Sequence, residues 1–237
     1  MKDPRERLVV ALDVGGLDEA AAFVDRLGDL VLWYKVGLEL FSAAGPAAVG
    51  MLKEQRKRVF LDLKLHDIPN TVGRAAGRLG AMGVDILDVH VAAGQEAMHG
   101  AARAIQQTCD PASRPLLLGV TVLTSTAVGE DGQPLSAEAL VPEVVLRAVS
   151  AQKAGLDGVV CPAAAAPDVQ RQCGADFHML IPGIRLAGGV KADQRWTATP
   201  ASAVEAGASW IVVGRPISAA PDPVAAAQDI LTQIEGL

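Results

Sequence analysis

The strongest constraint on how this chain folds is an alternation. Short runs of β-branched and aliphatic residues recur along it, each followed by a stretch of helical composition. The strand candidates are LVVALDV (8–14), VLWYKVGL (31–38), RVFLDLKL (58–65), DILDVHVA (85–92), PLLLGVTVL (115–123), DGVVCPA (157–163), FHMLIPGI (177–184) and SWIVVGRPI (209–217). Between them lie helix candidates such as LDEAAAFVDRLG (17–28), GQEAMHGAARAIQQ (94–107), PEVVLRAVSAQKAG (142–155) and PDPVAAAQDILTQIEG (221–236). Gly28, Gly155 and Gly207 stand where a helix C-terminus needs a left-handed residue. Near-continuous apolar strands suit a parallel sheet covered on both faces. Eight such units in 237 residues match a closed (β/α)8 TIM barrel, an α/β fold that takes about 250. A doubly wound open sheet more commonly carries a Gly-rich phosphate turn after its first strand, and DVGGLDEA (13–20) is not GxGxxG. With no linker or composition break, residues 1–237 read as a single domain.

Aromatic residues make up 3% of a chain that is 50% hydrophobic, so Ala, Val, Leu and Ile must build most of the core. A net charge of −6 offers no electrostatic reason to bind nucleic acid or an anionic membrane. An anionic substrate must then be captured by local groups. Cys109, Cys161 and Cys173 show neither CxxC nor zinc spacing and read as reduced thiols. The apolar run near the N-terminus breaks at Asp13, too soon for a signal-peptide core, and no run approaches the roughly 18 apolar residues of a membrane span. A cytoplasmic protein is expected.

Charge inside an apolar strand is costly, yet VFLDLKLHDIPNT (59–71) carries Asp62 and Lys64 two residues apart. Residues i and i+2 share a strand face. Asp62 and Lys64 are therefore expected inside the barrel near its C-terminal mouth, with Leu61, Leu63 and Leu65 turned to the helices. Other strands repeat the habit: Asp13 in the first, Lys35 in the second, Asp88 and His90 on one face of the fourth, and Thr121 in the fifth with Thr124, Ser125 and Thr126 at its exit. Arg185 follows the seventh strand, and Gly214 and Arg215 close the eighth. A purely architectural role for these ion pairs is the competing reading. Buried ion pairs are seldom better than apolar replacements, so four charges at the ends of three successive strands point to a site. The loops after strands seven and eight are the usual phosphate seat of such barrels; GIRLAGGVKADQRW (183–196) has the composition for one, with Gln194 as a candidate donor. Asp88 and His90 together are also candidate metal ligands, against a hydrogen-bonded structural pair.

On these residues the chain resembles the orotidine 5′-monophosphate decarboxylases. LDLKLHDIPNT (61–71) matches the family pattern D-x-K-x-x-D-I-P-x-T, and VALDV, YKVG, VHVAAG, VTVLTS, IPGIR, ADQ and VVGRPI extend the match along the chain. KADQRW differs slightly from the GDDQ form common in the family, which bears on Gln194. The resemblance implies conversion of orotidine 5′-monophosphate to UMP and CO2 in a homodimer, without metal or cofactor. It implies Lys64 as proton donor to C6 and Asp62 beside the departing carboxylate between Lys35 and Lys64. Asp67 would come from the partner subunit, with Ile68 and Thr71 among the substrate contacts and Thr71 also in trans. Asp13 and Lys35 would hold the ribose, Thr124 the pyrimidine, and Gln194, Gly214 and Arg215 the phosphate; Arg185 is a further ligand contact.

The chemistry suits these residue types. Loss of CO2 from C6 leaves electrons in the ring plane, outside the π system. Decarboxylases usually draw such electrons into pyridoxal phosphate or thiamine. Without a persuasive site for either, electrostatics must carry the load, and a lysine ammonium is both counter-charge and acid. Competing functions are the Mg²⁺-dependent 3-keto-L-gulonate 6-phosphate decarboxylases and hexulose-6-phosphate synthases, which share D-x-K-x-x-D but lack the I-P-N-T continuation, and a non-enzymatic phosphate-binding barrel.

Overall fold

A computed structural model describes residues 3–123, 136–186 and 196–237. Its strands are β1 (Leu8–Leu12), β2 (Trp33–Gly37), β3 (Arg58–Leu65), β4 (Ile86–His90), β5 (Leu116–Val120), β6 (Gly158–Val160), β7 (His178–Ile181) and β8 (Trp210–Val213). Each pairs in parallel with the next, and β8 returns to β1 to close the barrel. The helices are α1 (Leu17–Leu27), α2 (Leu38–Ala44), α3 (Pro46–Glu54), α4 (Pro69–Gly80), α5 (Gln95–Thr108), α6 (Ala137–Lys153), α7 (Ala166–Cys173), α8 (Pro200–Glu205), α9 (Arg215–Ser218) and α10 (Pro223–Ile234). The expected (β/α)8 barrel is the observed one.

Local chemistry explains the element ends. Helix α1 buries Ala20, Val24 and Leu27, spaced by three and four, and stops at Gly28 with φ +51°. Gly155 and Gly207 likewise take positive φ just beyond α6 and α8. Asp222 starts α10 by accepting the Val224 and Ala225 N–H groups. Two boundaries differ from expectation. Helix α6 begins five residues before Pro142, capped by Ser136; a proline is the natural first residue of a helix, but here it lies within one. The strand expected over 209–217 ends at Val213, and Arg215–Ser218 turns into α9, because Pro216 supplies helical φ and no N–H for a ladder.

The core has two layers. Outside the sheet, aliphatic side chains pack between strands and helices. Inside, Val9, Trp33, Phe60, Ile86, Leu118, Leu180 and Trp210 fill the lower barrel. The Trp33 and Trp210 rings meet at 5.6 Å, and the Arg58 guanidinium caps Trp33 at 5.2 Å. Two strand residues advance about 6–7 Å. The inward side chains of β3 therefore climb from Phe60 in the plug to Asp62 and Lys64 above it, with the expected Leu61, Leu63 and Leu65 on the outer face.

Candidate active site

Four charges form a continuous series across the mouth of β1, β2 and β3. Lys35 Nζ donates to Asp13 Oδ1 at 2.9 Å and lies 3.5 Å from Asp62 Oδ2. Lys64 Nζ donates to the other Asp62 oxygen, Oδ1. The order is thus Asp13, Lys35, Asp62, Lys64, with signs alternating. Lys35 and Asp62 are buried, whereas the Asp13 side chain is 55% exposed. Burial alone pushes the Asp62 carboxyl upward, but Lys35 and then Lys64 outweigh it and hold the group below the usual carboxylate range. Burial likewise works against the Lys35 ammonium, and Asp62 and Asp13 overcome it, so its pKa rises. The buried members are therefore ionised near neutrality.

These groups line one cavity of about 300 Å³, at the lower end of the range for small-molecule sites. Phe60, Val160, Leu180 and Val212 reach it from the apolar plug, and Val120, Val122, Leu123 and Pro182 add apolar lining beside Arg185, Gly214 and Arg215. The cavity gathers Asp13, Lys35, Asp62, Lys64, Arg185, Gly214 and Arg215 from the predicted set. Asp67, Ile68 and Thr71 are exposed and do not line it. They follow β3 around the rim, where Asp67 Oδ1 accepts the Ile68 N–H at 2.6 Å. Thr124 and Gln194 lie outside the described residues.

Three polar residues behave differently from a simple reading of strand faces. Thr121 is wholly buried, and its Oγ1 donates to the Val160 carbonyl, so it ties β5 to β6 and is absent from the cavity lining. Asp88 and His90 both have protein partners. Asp88 Oδ1 accepts the Lys64 backbone N–H at 2.7 Å, while His90 Nδ1 accepts the Ala92 N–H and its ring stacks on His66 at 5.1 Å.

Strand register explains how Lys64 reaches its place. Leu61 pairs with Leu87, but the next β3 residue in register is Leu65, opposite Val89. Four steps on β3 thus match two on β4. Lys64 takes φ +48° in this bulge, a left-handed conformation unusual for a residue with a side chain. Alternation along the strand cannot reveal that bulge.

Gly37 is a site residue that sequence reasoning passed over. A Cβ there would lie 2.6 Å from Lys35 Nζ and 3.3 Å from Asp13 Oδ1. Its only signal was a glycine closing an apolar strand two residues after the lysine. Gly37→Ala is expected to displace Lys35 and lower kcat/KM about 100-fold, the scale of an ångström misplacement. Steady-state kinetics at unchanged Tm would show this; unaltered kcat/KM would mean that Lys35 swings aside without consequence.

Comparison with known proteins decides the family. Residues 6–230 match the model of the orotidine 5′-phosphate decarboxylase / HUMPS family. The chain belongs to this family. It is 47% identical over 234 residues to an orotidine 5′-phosphate decarboxylase of Moorella thermoacetica, covering 98% of this chain and 93% of that one. It is 45% identical to that of Methylobacterium nodulans, covering 98% and 96%. The crystal structure of orotidine 5′-phosphate decarboxylase from Lactobacillus acidophilus superposes with a TM-score of 0.83 at 35% identity, covering 97% of this chain and 99% of that one. The matched span, residues 6–230, includes β1, β2 and β3.

Proposed function

We propose that this chain decarboxylates orotidine 5′-monophosphate to UMP and CO2. The observation that carries the reading is the alternating series Asp13, Lys35, Asp62, Lys64 around one cavity in a member of the orotidine 5′-phosphate decarboxylase family. The C6 carboxylate lies beside Asp62, and the C6 carbon beside the Lys64 ammonium. As the C–C bond breaks, its electron pair stays on C6 and CO2 leaves. The ammonium stabilises that pair and then transfers a proton to it, giving UMP and a neutral lysine that regains its proton from solvent. Two cations fixed in advance need no solvent reorganisation when charge develops, which is why this arrangement can act without an electron sink.

The rest of the substrate is held by its polar ends. Asp13 and Lys35 bind the ribose hydroxyls, Thr124 the pyrimidine, and Gln194, Gly214 and Arg215 the phosphate, with Arg185 as a further contact. Phosphate binding far from the reacting carbon supplies energy to order the site and desolvate the charges. Arg215→Ala is accordingly expected to lower kcat/KM for the phosphorylated substrate about 100-fold and to leave turnover of the nucleoside orotidine almost unchanged. Equal losses on both substrates would contradict a phosphate role.

A homodimer completes the site. Asp67, Ile68 and Thr71 lie outside their own chain's cavity, on a rim that also exposes the apolar Leu38 and Ile68 at 59% and 66%. In the dimer Asp67 extends the partner's charge series, while Ile68 and Thr71 contact its substrate. Among the described residues no helix is long and apolar enough to cross a membrane, and the enzyme works in the cytoplasm. Incubation with orotidine 5′-monophosphate and EDTA, followed by ultraviolet absorbance, tests the reaction. Conversion to UMP is expected; no conversion by folded protein, with activity on a sugar phosphate restored by Mg²⁺, would reassign it.

A further inference from the structure

We propose that Asp88 is a positioning residue of this site: one carboxyl oxygen holds the Lys64 backbone, and the other carries a proton that it donates to Asp62. Asp88 is fully buried. Its Oδ1 accepts the Lys64 N–H at 2.7 Å where the β3–β4 ladder is interrupted, replacing a strand hydrogen bond. That contact holds Lys64 at φ +48°, a conformation its side chain disfavours, from which Nζ reaches Asp62. Among the described residues no N–H or O–H donor meets Asp88 Oδ2. The strongest charge acting on it is the Asp62 carboxylate.

Two adjoining carboxyls in a buried site cannot both be ionised cheaply. Asp62 has an ammonium on each oxygen, Lys64 on Oδ1 and Lys35 on Oδ2, whereas Asp88 has one neutral N–H. The proton therefore rests on Asp88, and burial followed by the Asp62 charge raises its carboxyl well above the ordinary range. The charged groups acting on it are Asp62 and Lys64 from β3; its register partner on β5, Leu118, brings none. As a neutral acid Asp88 both accepts and donates, so both oxygens are used. The Asp88 proton then fixes the plane of the Asp62 carboxylate.

The kinetic part rests on the proposed decarboxylation; protonation does not, so the test separates them. Carboxyl NMR of protein labelled with carbon-13 at aspartate should show one signal that stays at the protonated position where the other aspartates are already ionised and disappears in Asp88→Asn. The Tm of Asp88→Asn should equal that of wild type near pH 4 and exceed it increasingly as pH rises, because only wild type must release a proton on unfolding. A carboxyl titrating in the ordinary range, or a Tm difference that shrinks with pH, would overturn the protonation. An amide can accept from Lys64 and donate to Asp62, so Asp88→Asn should retain kcat to within about threefold, while Asp88→Leu should lose about 100-fold in kcat with little change in KM. Equal losses in the two variants would overturn the positioning role. Inactive wild type with the NMR signal present would remove the decarboxylation and leave the protonated Asp88 standing.

Discussion

Replacing Lys64 with alanine is expected to lower kcat for orotidine 5′-monophosphate by about 10⁵-fold or more while the protein remains folded. Lys64 is assigned two functions, and one substitution removes both. A positioned general acid contributes about 10² to 10⁴, and a fixed charge facing the developing anion about 10² to 10³. Their product brackets the expected loss. The fold should survive, because Asp62 keeps Lys35 at 3.5 Å and is not left as a lone buried charge. Binding of UMP should weaken far less than turnover, since phosphate and ribose contacts lie elsewhere. Lys64→Arg is not expected to restore activity: a planar guanidinium cannot occupy the same point above Asp62 Oδ1 and gives up protons too reluctantly. Single-turnover kinetics beside a UMP titration separates these effects. A loss confined to KM would place Lys64 in binding alone.

The second large effect concerns Asp67. Asp67→Ala and Lys64→Ala should each be nearly inactive alone, yet a mixture allowed to exchange subunits should recover activity. Asp67 follows the end of β3 and is exposed in its own chain, outside the cavity that contains Lys64. If each site combines Lys64 of one chain with Asp67 of its partner, a heterodimer has one intact site and one doubly defective site. Random exchange then yields about a quarter of the wild-type sites, through the reciprocal contacts of a two-fold dimer. Absence of recovery, with exchange demonstrated by mass spectrometry of labelled subunits, would restrict each site to a single chain.

Much of this arrangement was legible because barrel strands impose a period of two. Phe60, Asp62 and Lys64 fall on the inner face and Leu61, Leu63 and Leu65 on the outer, as alternation requires. The same rule brought Asp13, Lys35 and Arg215 to one mouth, because parallel strands present all their C-terminal ends together. What escaped it depends on contacts between strands. The bulge at Lys64 arises from the match of β3 to β4 and from a carboxyl group 24 positions away in sequence. Thr121 shows the converse: a hydroxyl suited to a site instead satisfies the Val160 carbonyl on the neighbouring strand. Gly37 matters only through the space its missing side chain leaves for Lys35, and space has no sequence period. Pro142 and Pro216 misled in opposite directions: Pro142 lies inside a helix that starts five residues before it, and Pro216 ends a strand.

The most direct measurement of the central proposal, a C6 carbanion formed beside the Lys64 ammonium, is proton exchange on the product. UMP in D2O with wild-type protein and EDTA should lose its C6 proton signal by NMR, because an enzyme that protonates the carbanion must also deprotonate its product. Lys64→Ala should leave the signal intact. If wild type decarboxylates orotidine 5′-monophosphate but never exchanges the C6 proton, the carbanion and the role of Lys64 as its acid are both wrong.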